Sequence, residues 1–522
     1  MLAAAAAILV VVSVTSDSSG RARTATAGQR EQLARALVDP GASPAKVPRK
    51  PNVIMIVMDE FPGDSLLGPD GRIDALRYPN FAALARNATW FPNASTSYDS
   101  TPKAVPLILD GKRPFPGEAP DFSDHKHSLF DLFGGRGYRI QESEEATAIC
   151  PPRWCPHGHR TRPGILGNLN RGRRERLERF IASIKPTKRP TFWMKHVLLP
   201  HGPYMFLPSG HQTRSGARDP IRGMNSPQGF HDEFLTRHNK QRYLLQLGFA
   251  DHELGHLLDH LVKEGMYDNS LVVLTADHGM DFSVGVKDRR KVNNKNIQQI
   301  VPVPFFVKAP GQRAGKVDRA YVRTIDWPAT IADALNAKLP YHSDGASGFG
   351  PAARRRRFVR LPTRDFAHIV RISAGAWERR RHAVVRRRLR EYGSGLTGLY
   401  SGIGPNRGLI GRAVADLHPG AVGSLRGSFV GAGQYGRVRR ASLVIPSQVA
   451  GSLKGAKRGT THDLAVAVNG RIEAVGRSWY LDRDRTEHFA MMVPEDTLHD
   501  GPNTVELYSV SRGKALRLLA RA

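Results

Sequence analysis

The sequence predicts an α/β fold, a mainly parallel sheet flanked by helices, followed by a smaller β-rich C-terminal domain. Three observations carry this expectation. Residues 53–58 are apolar at every position, as a strand buried on both faces of a parallel sheet must be, and similar runs recur at 192–199, 270–275 and 303–307. Between them Leu244, Leu247, Leu254, Leu258 and Leu261 recur at helical spacing, so strand and helix alternate. Beyond residue 357 the texture changes: Leu464, Val466 and Val468 alternate before Asn469-Gly470, a dipeptide that favours a two-residue hairpin turn, and Val505 and Leu507 alternate likewise.

Taken in order, residues 1–20 form a signal or membrane-anchor segment. Their apolar stretch, rich in alanine and valine, is shorter than the roughly 20 residues needed to span a bilayer and lacks the basic lead-in of a standard signal peptide. Either reading places the folded part outside the cytoplasm, anchored or secreted. Residues 21–50, small, charged and proline-containing, suit a linker. The α/β unit covers 51–345, a basic junction 346–357, and the β-rich domain 358–522. Cys150 and Cys155 are the only cysteines; at this spacing a local disulfide is the simplest reading.

With 40% apolar and 24% charged residues the composition is that of a folded globular protein. A net charge of +30 attracts anions without choosing among them, and much of it sits at 354–357, 379–381 and 386–388, read as a solvated basic surface. No zinc-finger, RNA-binding or helix-turn-helix signature accompanies it, so nucleic acid is not an expected partner.

In open parallel sheets ligands collect beyond the carboxyl ends of the strands. Here the first strand ends in Asp59-Glu60, the second runs into Pro200-His201-Gly202-Pro203-Tyr204, and the third into Asp277-His278-Gly279. Carboxylates and an imidazole brought to one edge are a ligand set for a divalent metal such as Zn, Mn or Mg.

Together these segments resemble the alkaline phosphatase and sulfatase superfamily. Its members pair an apolar strand ending in acidic ligands with a later Thr-x-Asp-His-Gly, here Thr275-Ala276-Asp277-His278-Gly279. Between them a nucleophile opens a helix, here Thr101-Pro102-Lys103-Ala104-Val105, ending at Gly111. Val301-Pro302-Val303-Pro304-Phe305-Phe306 and Thr324-Ile325-Asp326-Trp327-Pro328 are also similar to the sulfatase pattern.

The resemblance implies an alkaline phosphatase-like fold over 51–345 and one divalent ion (Mn, Zn or Mg, with Ca admissible). It implies Asp59, Glu60, Thr101, Asp277 and His278 as its ligands, Thr101 as nucleophile, and His201 as a catalytic and substrate-binding group beside Lys103. Ser100 is the alternative nucleophile, and His342 could add to a second metal site. A threonine hydroxyl needs a Lewis acid to become reactive at neutral pH. Classical sulfatases carry a cysteine, converted to formylglycine, where Thr101 stands, and an arginine where Val105 stands. Threonine is instead similar to lipoteichoic acid synthases and phosphoethanolamine transferases, which favours phosphate over sulfate. The implied activity is a hydrolase or phosphotransferase acting on anionic esters, either free or carried on a lipid or cell-envelope polymer.

One motif points elsewhere. His252-Glu253-Leu254-Gly255-His256 has the spacing of zinc proteases, two histidines one helical turn apart with a glutamate between. The third ligand of that class is missing, since no glutamate occurs from Gly265 to Phe349, and the apolar stripe puts His252 and His256 toward solvent. A sulfuric ester hydrolase, a zinc protease and a non-catalytic binder stand as alternatives.

Overall fold

The first strand, β1 (Val53–Asp59), is buried throughout and lies between β4 (Thr191–Pro200) and β5 (Leu271–Ala276), parallel to both. Strands covered on both faces favour apolar side chains along their length, which β1 supplies up to Met58 and β5 nearly throughout, whereas β4 carries the buried Lys195 and His196 within its run. The computed structural model describes residue 37 and residues 47–156, 170–401, 403–420, 422–455, 457, 459–481, 485–511 and 515–522. The expected signal or anchor segment, 1–20, lies outside them. Among the described residues no helix is long and apolar enough to cross a membrane.

The sheet has seven strands in the order β3-β4-β1-β5-β6-β2-β7, with β2 at Thr89–Trp90, β3 at Arg139–Ser143, β6 at Phe305–Lys308 and β7 at Lys316–Val317. β3, β4, β1 and β5 are mutually parallel, whereas β6 runs antiparallel to β5 and to β2. The expected mainly parallel sheet is therefore present, with its antiparallel pairings on one side. Apolar content alone does not carry strand direction, which is why the fourth run reads like the first three.

Helices pack around this sheet: α1 (Pro79–Ala85), α2 (Thr101–Asp110), α3 (Leu129–Gly135), α4 (Arg173–Ser183) and the 31-residue α5 (Glu233–Lys263). α5 starts where the Asp232 side chain accepts from the Leu235 amide at 2.8 Å, and Gly265, at φ 66°, follows its end. Its C-terminal half lays Leu247, Leu254, Leu258 and Leu261 into the core of the sheet. Its N-terminal half places Phe234, Leu235, Tyr243 and Leu244 in a second core shared with the C-terminal strands, with Phe234 lying against Gly476.

That region holds two antiparallel sheets. One is β10 (Arg426–Phe429), β11 (Gln448–Lys454) and β14 (Glu487–Met492); the other has the order β13-β12-β15-β16. β12 (Asp463–Val468) and β13 (Arg471–Arg477) are joined by Asn469 and Gly470, both at positive φ, as the hairpin signal predicts. β15 (Val505–Val510) and β16 (Leu516–Arg521) complete that sheet, and Val449, Leu453, Val466 and Leu507 from the two sheets share one core.

The arginine-rich stretch behaves differently from a solvated surface in part. α6 (Ala374–Tyr392), preceded by the β8–β9 hairpin (Phe358–Pro362 and Ile369–Ser373), buries Arg381 and Arg388 while Arg379, Arg380, Arg386 and Arg387 stay exposed. Arg381 binds Asp64 at 2.8 Å through Nε and donates to Asn93 Oδ1 at 2.9 Å, while Val385 from the same helix enters the main core. Arg354 and Arg356 in the basic junction pair with Asp318 and Asp326 of the α/β unit. Cys150 and Cys155 form a disulfide.

Candidate active site

The carboxyl ends of β4, β1 and β5 are neighbours, so one sheet edge receives His196 and His201 from β4 and its exit, Asp59 and Glu60 from β1, and Asp277 and His278 from β5. α2 opens directly over this edge with Thr101 in its first turn and Pro102 behind it, a position where proline's missing amide hydrogen is no loss. Thr101 Oγ1 donates to Asp277 Oδ2 at 2.7 Å and lies 3.3 Å from His278 Nε2. The Asp277 Oδ1 atom accepts from the backbone amides of Glu60, at 3.2 Å, and His278, at 2.6 Å. The glycine of Asp277-His278-Gly279 has a steric cause: a Cβ there would meet Gln299 O at 2.7 Å and Ile300 O at 2.9 Å, both backbone.

Asp59, His196 and Asp277 each place a ligand atom within 4.8 Å of the other two, and all three are buried. Asp59 Oδ1 and both ring nitrogens of His196 have no hydrogen-bond partner among the described residues. Orphaned polar atoms in such number are costly, and a cation shared among them would remove the cost. The electrostatics agree. Burial, then the Asp277 charge, drives the Asp59 carboxyl well above the usual carboxylate range, and burial pushes Asp277 up to about 7. Burial also lowers His196 to about 3, which leaves its imidazole neutral and able to ligate. The residues present therefore fit a divalent metal.

Of the residues singled out in the sequence, Asp59, Thr101, Asp277 and His278 come together. Glu60 takes a different place. Its backbone is left-handed at φ 56°, and its buried carboxylate is gripped by Arg289, with Nη2 at 2.9 Å from Oε1, while His201 Nε2 lies 3.7 Å away. Burial alone would raise the Glu60 carboxyl; Arg289 and then His201 reverse this and bring it to about 2. His201 has Nδ1 2.5 Å from Gly202 O, so that nitrogen carries the proton and donates, and Nε2 faces the site. The peptide around it is fixed by Arg173 and Gln246, which donate to the carbonyl of His201 at 2.5 and 2.7 Å.

Lys103 is not brought to the cluster: its ammonium donates to Phe115 O at 2.8 Å and pairs with Glu118 at 3.3 Å. Ser100 is the N-cap residue of α2, with no side-chain capping bond. His342 is largely exposed, with Nε2 3.7 Å from Asp344.

Two participants were not found by sequence reasoning. His196 sits inside an otherwise apolar strand, next to Lys195, and two ionisable residues there were a signal available to be read. Arg289 follows Asp277 by only a dozen residues but carried no pattern of its own. From Arg289 a cavity of about 1020 Å³ extends past Tyr204, Phe206, Arg171, Arg173 and Arg218, which gives the site a basic and partly aromatic approach.

The competing cluster is real in space: His252, Glu253 and His256 gather ligand atoms within 4.8 Å. His256 is exposed as expected, but His252 is half-buried and Glu253 is buried against the sheet. A zinc protease needs its glutamate free to activate water, and here it faces the apolar wall lined by Met58, Val197 and Leu254.

Residues 156–337 match the family model described as sulfatase, a span that contains His196, His201, Asp277 and His278 and begins after Asp59, Glu60 and Thr101. Among curated proteins, the chain is 24% identical over 338 residues to an ulvan-active sulfatase of Formosa agariphila, covering 58% of this chain and 64% of that protein. It is 22% identical over 299 residues to a choline-sulfatase of Rhizobium meliloti, covering 44% and 57%. It is 23% identical over 308 residues to the multifunctional alkaline phosphatase superfamily protein PehA of Trinickia caryophylli, covering 51% and 57%. The chain thus spans less than two thirds of the length of each of these relatives. Among solved structures, a phosphonate monoester hydrolase from Silicibacter pomeroyi aligns with TM-score 0.41 at 20% identity, over 60% of this chain and 79% of that one.

Proposed function

From the premise that this chain carries a sulfatase-like domain of the alkaline phosphatase and sulfatase superfamily, we propose that it is a metal-dependent enzyme cleaving phosphate or sulfate esters through Thr101. The observation that carries the reading is the Thr101 hydroxyl, 2.7 Å from Asp277 and 3.3 Å from His278, at the edge of a buried ligand cluster that lacks partners of its own. Asp59, His196, Asp277 and His278 would hold the ion. Once bound there, a divalent cation lowers the hydroxyl's pKa and offsets negative charge on the ester oxygens.

The rest falls to the chain's own groups. Asp277 Oδ2 orients the hydroxyl and takes its proton, so that Thr101 Oγ1 attacks the phosphorus (or sulfur) of the ester; a bond from Oγ1 forms and the bond to the leaving oxygen breaks. The departing oxygen takes a proton from solvent, and His201 Nε2, which is unprotonated while Nδ1 donates to Gly202 O, is aimed at the site and is the group positioned to relay it. Water or an alcohol then displaces Thr101. The arginines along the cavity favour an anionic substrate. Threonine in place of cysteine supports phosphate over sulfate. An extracytoplasmic location is part of the same proposal, supported by the Cys150–Cys155 disulfide. The expected carriers, a lipid-linked donor or envelope polymer, stand or fall with the choice of acceptor.

The test is turnover of bis(p-nitrophenyl) phosphate, p-nitrophenyl phosphate and p-nitrophenyl sulfate with Mn, Zn or Mg, beside Thr101→Ala, Thr101→Ser and Asp277→Ala. Expected are metal-dependent turnover of a phosphate ester, loss in both alanine variants, partial retention in Thr101→Ser, and a phosphorylated Thr101 peptide in quenched reactions. Full activity in a folded Thr101→Ala protein would overturn the assignment.

A further inference from the structure

Helix α5 carries a second group of metal-ligating side chains, which the proposed reaction does not use. His252 and His256 are one helical turn apart, with ring centroids 4.4 Å from each other, and Glu253 joins them with all three ligand atoms inside 4.8 Å. The independent observation is the state of Glu253. It is 1% exposed, both carboxylate oxygens are buried without a hydrogen-bond partner among the described residues, and its inner side faces a small cavity lined by Ile56, Met58, Val197 and Leu257. A carboxylate in apolar surroundings must be neutralised or paired, and the nearest cationic candidate in the cluster is His256, with Nδ1 3.6 Å from Oε2.

We propose that His252, Glu253 and His256 hold a divalent transition-metal ion, zinc by preference, at a site separate from the cluster at Asp59. Two imidazoles and one carboxylate form a borderline donor set that suits zinc and its analogues better than Mg or Ca, and water can fill the remaining position because His256 is 46% exposed in its side chain. The neighbouring charges do not forbid it. Arg174 is engaged with Glu178 at 2.7 Å and with Gly210 O at 2.5 Å, and His211 is held by Glu495 at 2.6 Å. Because Glu253 is itself a ligand, it is not free to activate water as the glutamate of a zinc protease is, so the site anchors the buried charge.

The experiment counts ions. Zn²⁺ bound per chain is measured after equilibrium dialysis, and Co²⁺ substitution reads the visible absorption of a low-coordinate site. Wild-type protein is expected to bind two ions, and His252→Ala and His256→Ala one each, with the cobalt band reduced. An Asp59→Asn/Asp277→Asn protein should keep one ion, lost again on adding His256→Ala. Should the double variant misfold, the single changes decide, since His256 is exposed and its removal spares the core. An ion count unchanged by His252→Ala and His256→Ala would overturn the proposal and leave a plain Glu253–His256 ion pair. Loss of the Asp59 site alone would instead count against the function proposed above.

Discussion

Replacing Arg289 by leucine isolates the electrostatic device on which the Glu60 corner of the site depends. Glu60 is fully buried, and Arg289 reaches it through Nε at 3.2 Å to each oxygen and through Nη2 at 2.9 Å to Oε1. Two routes give the size of the effect. Removing one partner of a buried ion pair costs about 3–5 kcal/mol. Lowering a carboxyl from 4.5 to about 2 on folding corresponds to about 3 kcal/mol of stability, most of it owed to Arg289 against the opposing pull of burial. The sign follows from the depressed value: the native state binds the proton less tightly than the unfolded chain, so the stabilisation is present above pH 4.5 and disappears as pH falls toward 2. Arg289→Leu should therefore lose about 3 kcal/mol near pH 7, and the gap to wild type should narrow between pH 4.5 and 2. Urea unfolding followed by tryptophan fluorescence across that range is the assay. A loss below about 1 kcal/mol at pH 7, or one that does not change with pH, would refute the reasoning, because it would mean that His201 and Arg290 already neutralise Glu60 without Arg289.

His196→Gln should weaken metal binding at the Asp59 cluster by at least about tenfold, read by competition with a chelator; unchanged affinity would remove His196 from the ligand set. Gly279→Ala forces a Cβ to within 2.7 Å of Gln299 O and should cost about 1–3 kcal/mol while displacing His278, so both the urea midpoint and turnover should fall. Glu144 is held up at about 7 by burial, although Thr147 and the amides of Ile149 and Cys150 donate to it. The native state then binds that proton more tightly than the unfolded chain, stability declines as pH rises from 4.5 to 7, and Glu144→Gln should flatten that slope in unfolding midpoints.

The parallel core and the motifs that follow its strands were legible because each is local: an unbroken apolar run announces a strand covered on both faces, and the polar residues just after it fall at the functional edge. Asp59, Asp277 and His278 needed nothing more. His196 needed the register between β1 and β4, in which Val57 lies opposite His196 and the pairing shifts at Asp59, and no sequence window contains both strands. The grip of Arg289 on Glu60 spans 229 residues and depends on where a loop after β5 comes to rest. The arginines of α6 misled in the opposite direction, since composition suggested solvent while Asp64 and Asn93, more than 280 residues earlier, draw Arg381 inside. Lys103 shows the same limit, because proximity to Thr101 along the chain says nothing about Glu118 claiming its charge.

Helix α5 has the C-terminal strands on its first turns and the seven-stranded sheet on its last ones, like a beam built into two walls. Phe234, which lies against Gly476, would be stripped of that cover in any fragment that ends at the basic junction, and the core it shares with the C-terminal strands would be opened. Such a fragment should expose a sticky flank and aggregate, and the ligands of both proposed metal sites, carried on or beside that same helix, would inherit its disorder. The β-rich strands are thus a wall that the proposed chemistry leans on, and what they do for it is to be sought by altering their outer faces one residue at a time while the wall is left standing.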